Sequence, residues 1–171
     1  LQGHCKTLSR TEAKALTEQT IRQWRTDNIA RYAEQWQQKR LTLGSHTMRF
    51  DYRTDGDEPA EGYNLYISLH GGGGTTPDVN DSQWRNQLRL YPMTKGVYVC
   101  PRSIVDEWDM HCKPQCDTLY ENMIEMFAAY LRINPDRIYL MCYSAGGDGT
   151  YRLAPRMADR WAAASMMAGH P

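Results

Sequence analysis

Ile138-Tyr139-Leu140-Met141-Cys142-Tyr143-Ser144-Ala145-Gly146-Gly147 reads as a short apolar strand, a tight turn and the start of a helix. Strand and helix pass close together at such a turn, and Ala145, Gly146 and Gly147 are small enough to allow it. A serine held there is pushed out above the sheet edge. The helix N-terminus adds partial positive charge beside it. A serine with glycine two places later is weak evidence alone: at a usual glycine content of about 7%, one serine in about fourteen has that partner. The bland reading is a glycine-rich turn without chemistry. The apolar strand in front and the helix behind favour Ser144 as a nucleophile.

A second glycine turn lies upstream. Tyr63 to Leu69 is a strand pattern that stops abruptly at His70-Gly71-Gly72-Gly73-Gly74. Consecutive glycines let backbone N–H groups point into a cavity without side-chain obstruction. Acyl transfer needs such donors where negative charge develops on the carbonyl oxygen. A phosphate loop is the rival reading. It fails because no G-K-[ST] follows, and no G-x-G-x-x-G register with a helix and a distal acid fits.

Moving outward, Val97–Val99 is a buried strand, 80–90 a short helix and 117–132 a helix with Leu119, Met123, Ile124, Phe127 and Leu131 on one face. Asn134-Pro135-Asp136 is a turn, 145–157 a helix and 162–167 a further strand. Strand and helix alternate from residue 63, which predicts a mostly parallel α/β sheet with helices on both faces. Ligands then sit at the carboxyl ends of the strands, where both glycine turns fall. Met48, Phe50 and Tyr52 alternate with polar residues in a half-exposed strand before them.

Residues 9 to about 41 read as one long amphipathic helix packed on the core. Ser9 and Glu12 make a capping-box pattern, apolar residues recur from Leu16 to Trp36, and Gly44 lies just past the end. Trp24, Trp36 and Trp161 are expected in the core. Residues 1–44 are thus a helical extension and 45–171 the α/β domain.

Composition narrows the function classes. The 171 residues carry 20 Lys plus Arg and 20 Asp plus Glu, a formal net charge of zero. That leaves no electrostatic footprint for nucleic acid or anionic lipid. Mean hydropathy is −0.70, and no apolar run approaches the ~20 residues of a membrane span. Five cysteines at irregular spacing are not a disulfide framework. Cys100 and Cys142 close strands as small apolar residues, which favours a reducing compartment such as the cytoplasm. The chain opens on Leu1 rather than Met, which is compatible with a removed leader. His111, Cys112 and Cys116 form a single set of metal-type side chains, where structural zinc sites pair two; no metal and no cofactor is expected. Trp84 and Trp108 follow strands that end at the active edge and are candidates, with Tyr143, to line an acyl or aromatic pocket. Ordinary packing under a loop is the alternative.

Together the two turns resemble the α/β-hydrolases. His70-Gly71-Gly72-Gly73 resembles the HGGG oxyanion motif of lipases and esterases, and Tyr143-Ser144-Ala145-Gly146-Gly147 their nucleophile elbow. Asp136-Arg137-Ile138-Tyr139-Leu140 looks like the lead-in of feruloyl-esterase, polyhydroxybutyrate-depolymerase and related peptidase-like members. The resemblance covers about residues 46–171. It implies a serine hydrolase acting on a small ester or acyl substrate, with Ala145 and Gly71 or Gly72 donating N–H groups to the oxyanion. Cys142 stands where the family has the first elbow glycine. The family order of serine, acid, histidine puts both partners downstream of Pro171, about 40–110 residues on a ~250-residue domain scale. The chain is therefore expected to be the N-terminal part of such a domain, with an open sheet edge that invites self-association. A peptidase of the same fold, and a binding module that keeps the fold without the chemistry, remain open.

Overall fold

The computed structural model describes residues 7–93 and 95–171; Leu1, His4 and Cys5 lie outside them. Six strands form one sheet: β1 (Arg40–Leu43), β2 (His46–Asp55), β3 (Tyr63–Leu69), β4 (Gly96–Pro101), β5 (Ile133–Cys142) and β6 (Ala163–Ala164). Their spatial order is β1-β2-β4-β3-β5-β6. β1 and β2 run antiparallel to their neighbours, and β4, β3, β5 and β6 are mutually parallel. The helices are α1 (Arg10–Arg31), α2 (Ala33–Gln38), α3 (Pro77–Leu90), α4 (Pro114–Tyr130) and α5 (Ala145–Arg156). Strand and helix alternate from β3 onward, as the periodicity predicts.

Alternation along β3 assigns the faces. Leu65, Ile67 and Leu69 share one side and pack with Leu119, Met123 and Phe127 of α4 and Leu153 of α5. Ser68 points to the other side, where its hydroxyl accepts from Gln87 of α3 at 2.7 Å. Tyr98 of β4 donates to the Gln87 carbonyl at 2.7 Å. Helices therefore cover both faces. Phe127 is the hub of the outer core: its ring lies 5.6 Å from Phe50, 5.2 Å from Tyr52 and 5.2 Å from Trp36, and Trp36 stacks on Tyr130 at 4.3 Å.

The N-terminal segment departs from expectation. The Ser9–Glu12 capping box is present, but the single long helix is not. α1 ends at Arg31, the chain bends at Tyr32, and α2 stops at Lys39, which takes the left-handed conformation (φ 48, ψ 47). Tyr32 is the cause: it is buried, and its hydroxyl bonds Glu125 at 2.7 Å and Asn122 at 3.2 Å. The expected helix tail is β1, where Leu41 is buried and Leu43 half-buried at a period of two. Gly44 (φ 60) is a hairpin turn, not a helix stop, since Leu43 pairs with His46. Nor does α1 lay an apolar stripe on the core. Leu16, Ile21, Trp24 and Ile29 are all exposed. Only its C-terminal end docks, with Arg25 donating to the Ala129 carbonyl at 3.2 Å and Asn28 buried.

Three smaller corrections follow. The Asn134-Pro135-Asp136 turn lies inside β5 as a bulge, between the pairs Tyr63–Ile133 and Leu65–Ile138. β6 has two residues instead of six, because the chain then bends to hydrogen-bond the turn at Ser144. Trp24 is exposed, whereas Trp36 and Trp161 are partly buried and pack against the core, the indole N–H of Trp161 without a partner among the described residues.

Candidate active site

Ser144 stands between the end of β5 and the start of α5, at φ 55 and ψ −125. A non-glycine residue at positive φ costs of order 1–3 kcal/mol and persists only where its surroundings impose it. They do so here. Tyr143 N–H donates to Leu69 O at 3.1 Å, Ser144 N–H to Met167 O at 3.1 Å and Gly147 N–H to Ser144 O at 2.6 Å. The small residues are needed: a Cβ on Gly146 would overlap the Leu69 carbonyl. Cys142, at the position of the first elbow glycine, is buried, with its Sγ 2.8 Å from Ser165 O and accepting Met167 N–H at 3.1 Å. The thiol thus serves as a packed tie between β5 and the segment after β6.

The two glycine turns meet. A Cβ on Gly71 would lie 3.0 Å from Ser144 Cβ and 3.6 Å from its Oγ. Ala145, buried at the first position of α5, has one of the N–H groups that a helix start leaves without an intrahelical partner. Among the described residues nothing accepts it, and nothing accepts the Gly71 or Gly72 N–H. Gly73 differs: its N–H donates to Asn80 Oδ1 at 2.9 Å.

His70 braces the turn. Ser103 N–H donates to its Nε2 at 3.0 Å, so the proton sits on Nδ1 and is donated to Gly71 O at 2.7 Å. Burial pushes its pKa down to about 4. His111 lies edge-on to it, with ring centroids 5.0 Å apart. Its Nε2 lies 3.1 Å from the His70 carbonyl, which only accepts, so Nε2 is the donor and Nδ1 accepts from Tyr120 at 2.8 Å. Burial holds His111 well below its usual pKa too. All four ring nitrogens are therefore engaged, and neither ring is placed to take a proton from Ser144 or to bind a metal. His170 is exposed, with Nδ1 3.3 Å from Asp148.

The aromatic candidates separate. Trp108 lies over the turn: a Cβ on Gly74 would overlap its indole, and its side chain is largely in solvent. Tyr143 is exposed beside Ser144. Trp84 instead donates its indole N–H to Cys100 O at 2.8 Å, with the Arg49 guanidinium 5.1 Å from its ring. That anchors α3 to β4 behind the edge. Clefts of 410 and 360 Å³ lie elsewhere, both lined by Trp24, Ala128, Ile133 and Pro135. Sequence reading missed Asn80, Arg102, Ser103 and Asp106, which surround the glycine turn. The signal was Arg102, a charge directly after a six-residue buried strand, with an acid four places on.

No family model matches the sequence, and no curated protein is similar to it. Solved structures are. A thermostable esterase superposes with a TM-score of 0.54 at 18% identity over 76% of this chain and 39% of its own. A proline iminopeptidase from Mycobacterium smegmatis (0.48, 14%) and a ferulic acid esterase (0.46, 13%) each match 76% of this chain, with 43% and 58% of their own lengths covered. The chain thus spans roughly two-fifths to three-fifths of these structures. The likeness to the first, with the sheet order and the elbow, shows the fold: this chain carries the α/β-hydrolase fold.

Proposed function

We propose that the protein is a serine hydrolase that cleaves an ester through an acyl-enzyme on Ser144. The observation that carries the reading is the strained Ser144 packed against Gly71, with the Ala145, Gly71 and Gly72 N–H groups unclaimed. Ser144 Oγ attacks the carbonyl carbon and its proton passes to a base. The carbonyl oxygen becomes an oxyanion that accepts from Ala145 N–H and from Gly71 or Gly72 N–H. Collapse breaks the bond to the alcohol, which leaves with a proton, and the acyl group stays on Ser144. Water then repeats the sequence to release the acid. His70 and His111 are engaged elsewhere, so the reading assigns the base to neither of them. Trp108 and Tyr143, with Trp84, would wall an apolar acyl or aromatic group.

Nothing in the elbow separates an ester from an amide. Parallel assays on aryl esters and aminopeptide substrates do so, and the ester reading expects turnover of the former. Ser144→Ala is expected to lower kcat at least about 10³-fold. Turnover of the peptide alone would make the protein a peptidase. Turnover of neither substrate would leave a binding module of the same fold.

A further inference from the structure

We infer that Arg102, Asp106 and Asn80 are positioning residues for acyl transfer: they close a hydrogen-bonded circuit that holds the Gly71–Gly73 backbone, and with it the Gly71 and Gly72 N–H donors, in place. The inference rests on the serine-hydrolase reading and extends it to residues that reading does not use.

The circuit starts from a burial problem. Arg102 follows β4 and is only 5% exposed. A guanidinium out of water needs its donors matched, and here they are. Nε donates to Asp81 Oδ1 at 2.8 Å, Nη2 to Asp106 Oδ1, and Nη1 to Ser103 O at 3.0 Å and Ser103 Oγ at 2.6 Å. From this hub two arms reach the same turn. One runs from Asp106 Oδ1, which also accepts from Asn80 Nδ2 at 2.8 Å, through Asn80 Oδ1 to the Gly73 N–H at 2.9 Å. The other runs through Ser103 N–H to His70 and from His70 Nδ1 to Gly71 O.

The ends of the circuit fix the two peptide units flanking Gly72. No peptide here is cis, and in a trans peptide C=O and N–H point opposite ways. Binding Gly71 O to His70 therefore turns the Gly72 N–H away from the imidazole. Taking the Gly73 N–H leaves the Gly71 and Gly72 N–H groups as the unclaimed donors ahead of it. Gly72 itself (φ 110) has no room for a side chain, since a Cβ would overlap Asn80 Oδ1. Asn80, wholly buried, thus both touches Gly72 and ties down its neighbour. Stability alone does not call for this arrangement, because well-packed apolar residues commonly serve as well as a buried ionic network. A fixed donor does, because misplacement by about 1 Å costs on the order of 10²-fold in rate.

The test exploits the donor–acceptor order between Asn80 and Asp106. Asn80→Asp puts two carboxylates face to face, and Asp106→Asn keeps an oxygen acceptor toward Asn80 but withdraws the countercharge that holds Arg102. The double variant restores one carboxylate, one amide and the net charge. Each is made in the whole protein. Aryl-ester kinetics are read beside affinity for a trifluoromethyl ketone, whose tetrahedral adduct carries the oxyanion. The single variants should lose about 10²-fold in kcat and in ketone affinity, with KM within about twofold. The double variant should recover at least about tenfold of each. If a single variant does not fold, Asn80→Ser is expected to show the same paired loss. Folded variants that keep wild-type kcat and ketone affinity would overturn the inference while leaving Ser144 in place. So would a double variant no better than the product of the singles. A wild-type protein inert to both substrate and ketone would instead remove the serine-hydrolase reading beneath it.

Discussion

Ser144 is where sequence and geometry agree most closely, because its constraints are local. A serine flanked by small residues between strand and helix has few conformations open to it, and φ 55 is one that only a tightly braced turn sustains. The histidines were not legible in the same way. Their roles depend on Ser103, Tyr120 and two carbonyls supplied by distant parts of the chain. His70 and His111 are buried neutral, and this sets a pH dependence. An unfolded chain protonates both near pH 6.5, whereas the native state resists protonation down to about pH 4 at His70 and is shifted the same way at His111. The unfolded state therefore binds more protons in that window, so stability is complete above pH 6.5 and falls as pH drops toward 4. For His70 alone the loss is about 3 kcal/mol. Urea unfolding at pH 7 and at pH 4 measures it, and equal free energies would contradict the buried neutral assignment.

At the level of elements, α4, β3 and β4 were readable because each presents a clear apolar period or run, and α5 because small residues mark its start. α1 misled because apolar spacing alone does not say what a helix faces. Leu16 and Ile21 recur as core residues would, yet residues 10–24 stand exposed and the docking is done by Arg25, Asn28 and Tyr32. β1 was hidden because four residues with two apolar positions are too short to show a period of two after a long helical pattern. The contrast predicts unequal responses to the same kind of substitution. Phe127→Ala, which empties the centre of the Phe50–Tyr52–Trp36 cluster, should cost about 3–5 kcal/mol. Leu16→Ala should stay within about 0.5 kcal/mol. Denaturation midpoints of the two variants test this. A large loss for Leu16→Ala would mean that α1 packs on something in solution.

Taken as a whole, the molecule places its chemistry where a parallel sheet opens. β3 and β5 are neighbours, so the turns that follow them come together at one edge although more than seventy residues separate Gly71 from Ser144. Alternation of strand and helix made that edge predictable; strand order and the Arg102 circuit were not, since both depend on long-range pairing. The outermost strand, β6, has two residues and exposed Ser165, Met166 and Met167 beyond it. Unpaired strand edges template further pairing, and we propose that this edge takes up another chain when these 171 residues are made alone. Light scattering should show association, and a stable monomer would contradict it. The central claim concerns Ser144, and its most direct measurement is labelling of the whole protein with a fluorophosphonate probe. The account predicts covalent modification at Ser144 that Ser144→Ala abolishes. Absence of labelling, or labelling that survives the substitution, would contradict it.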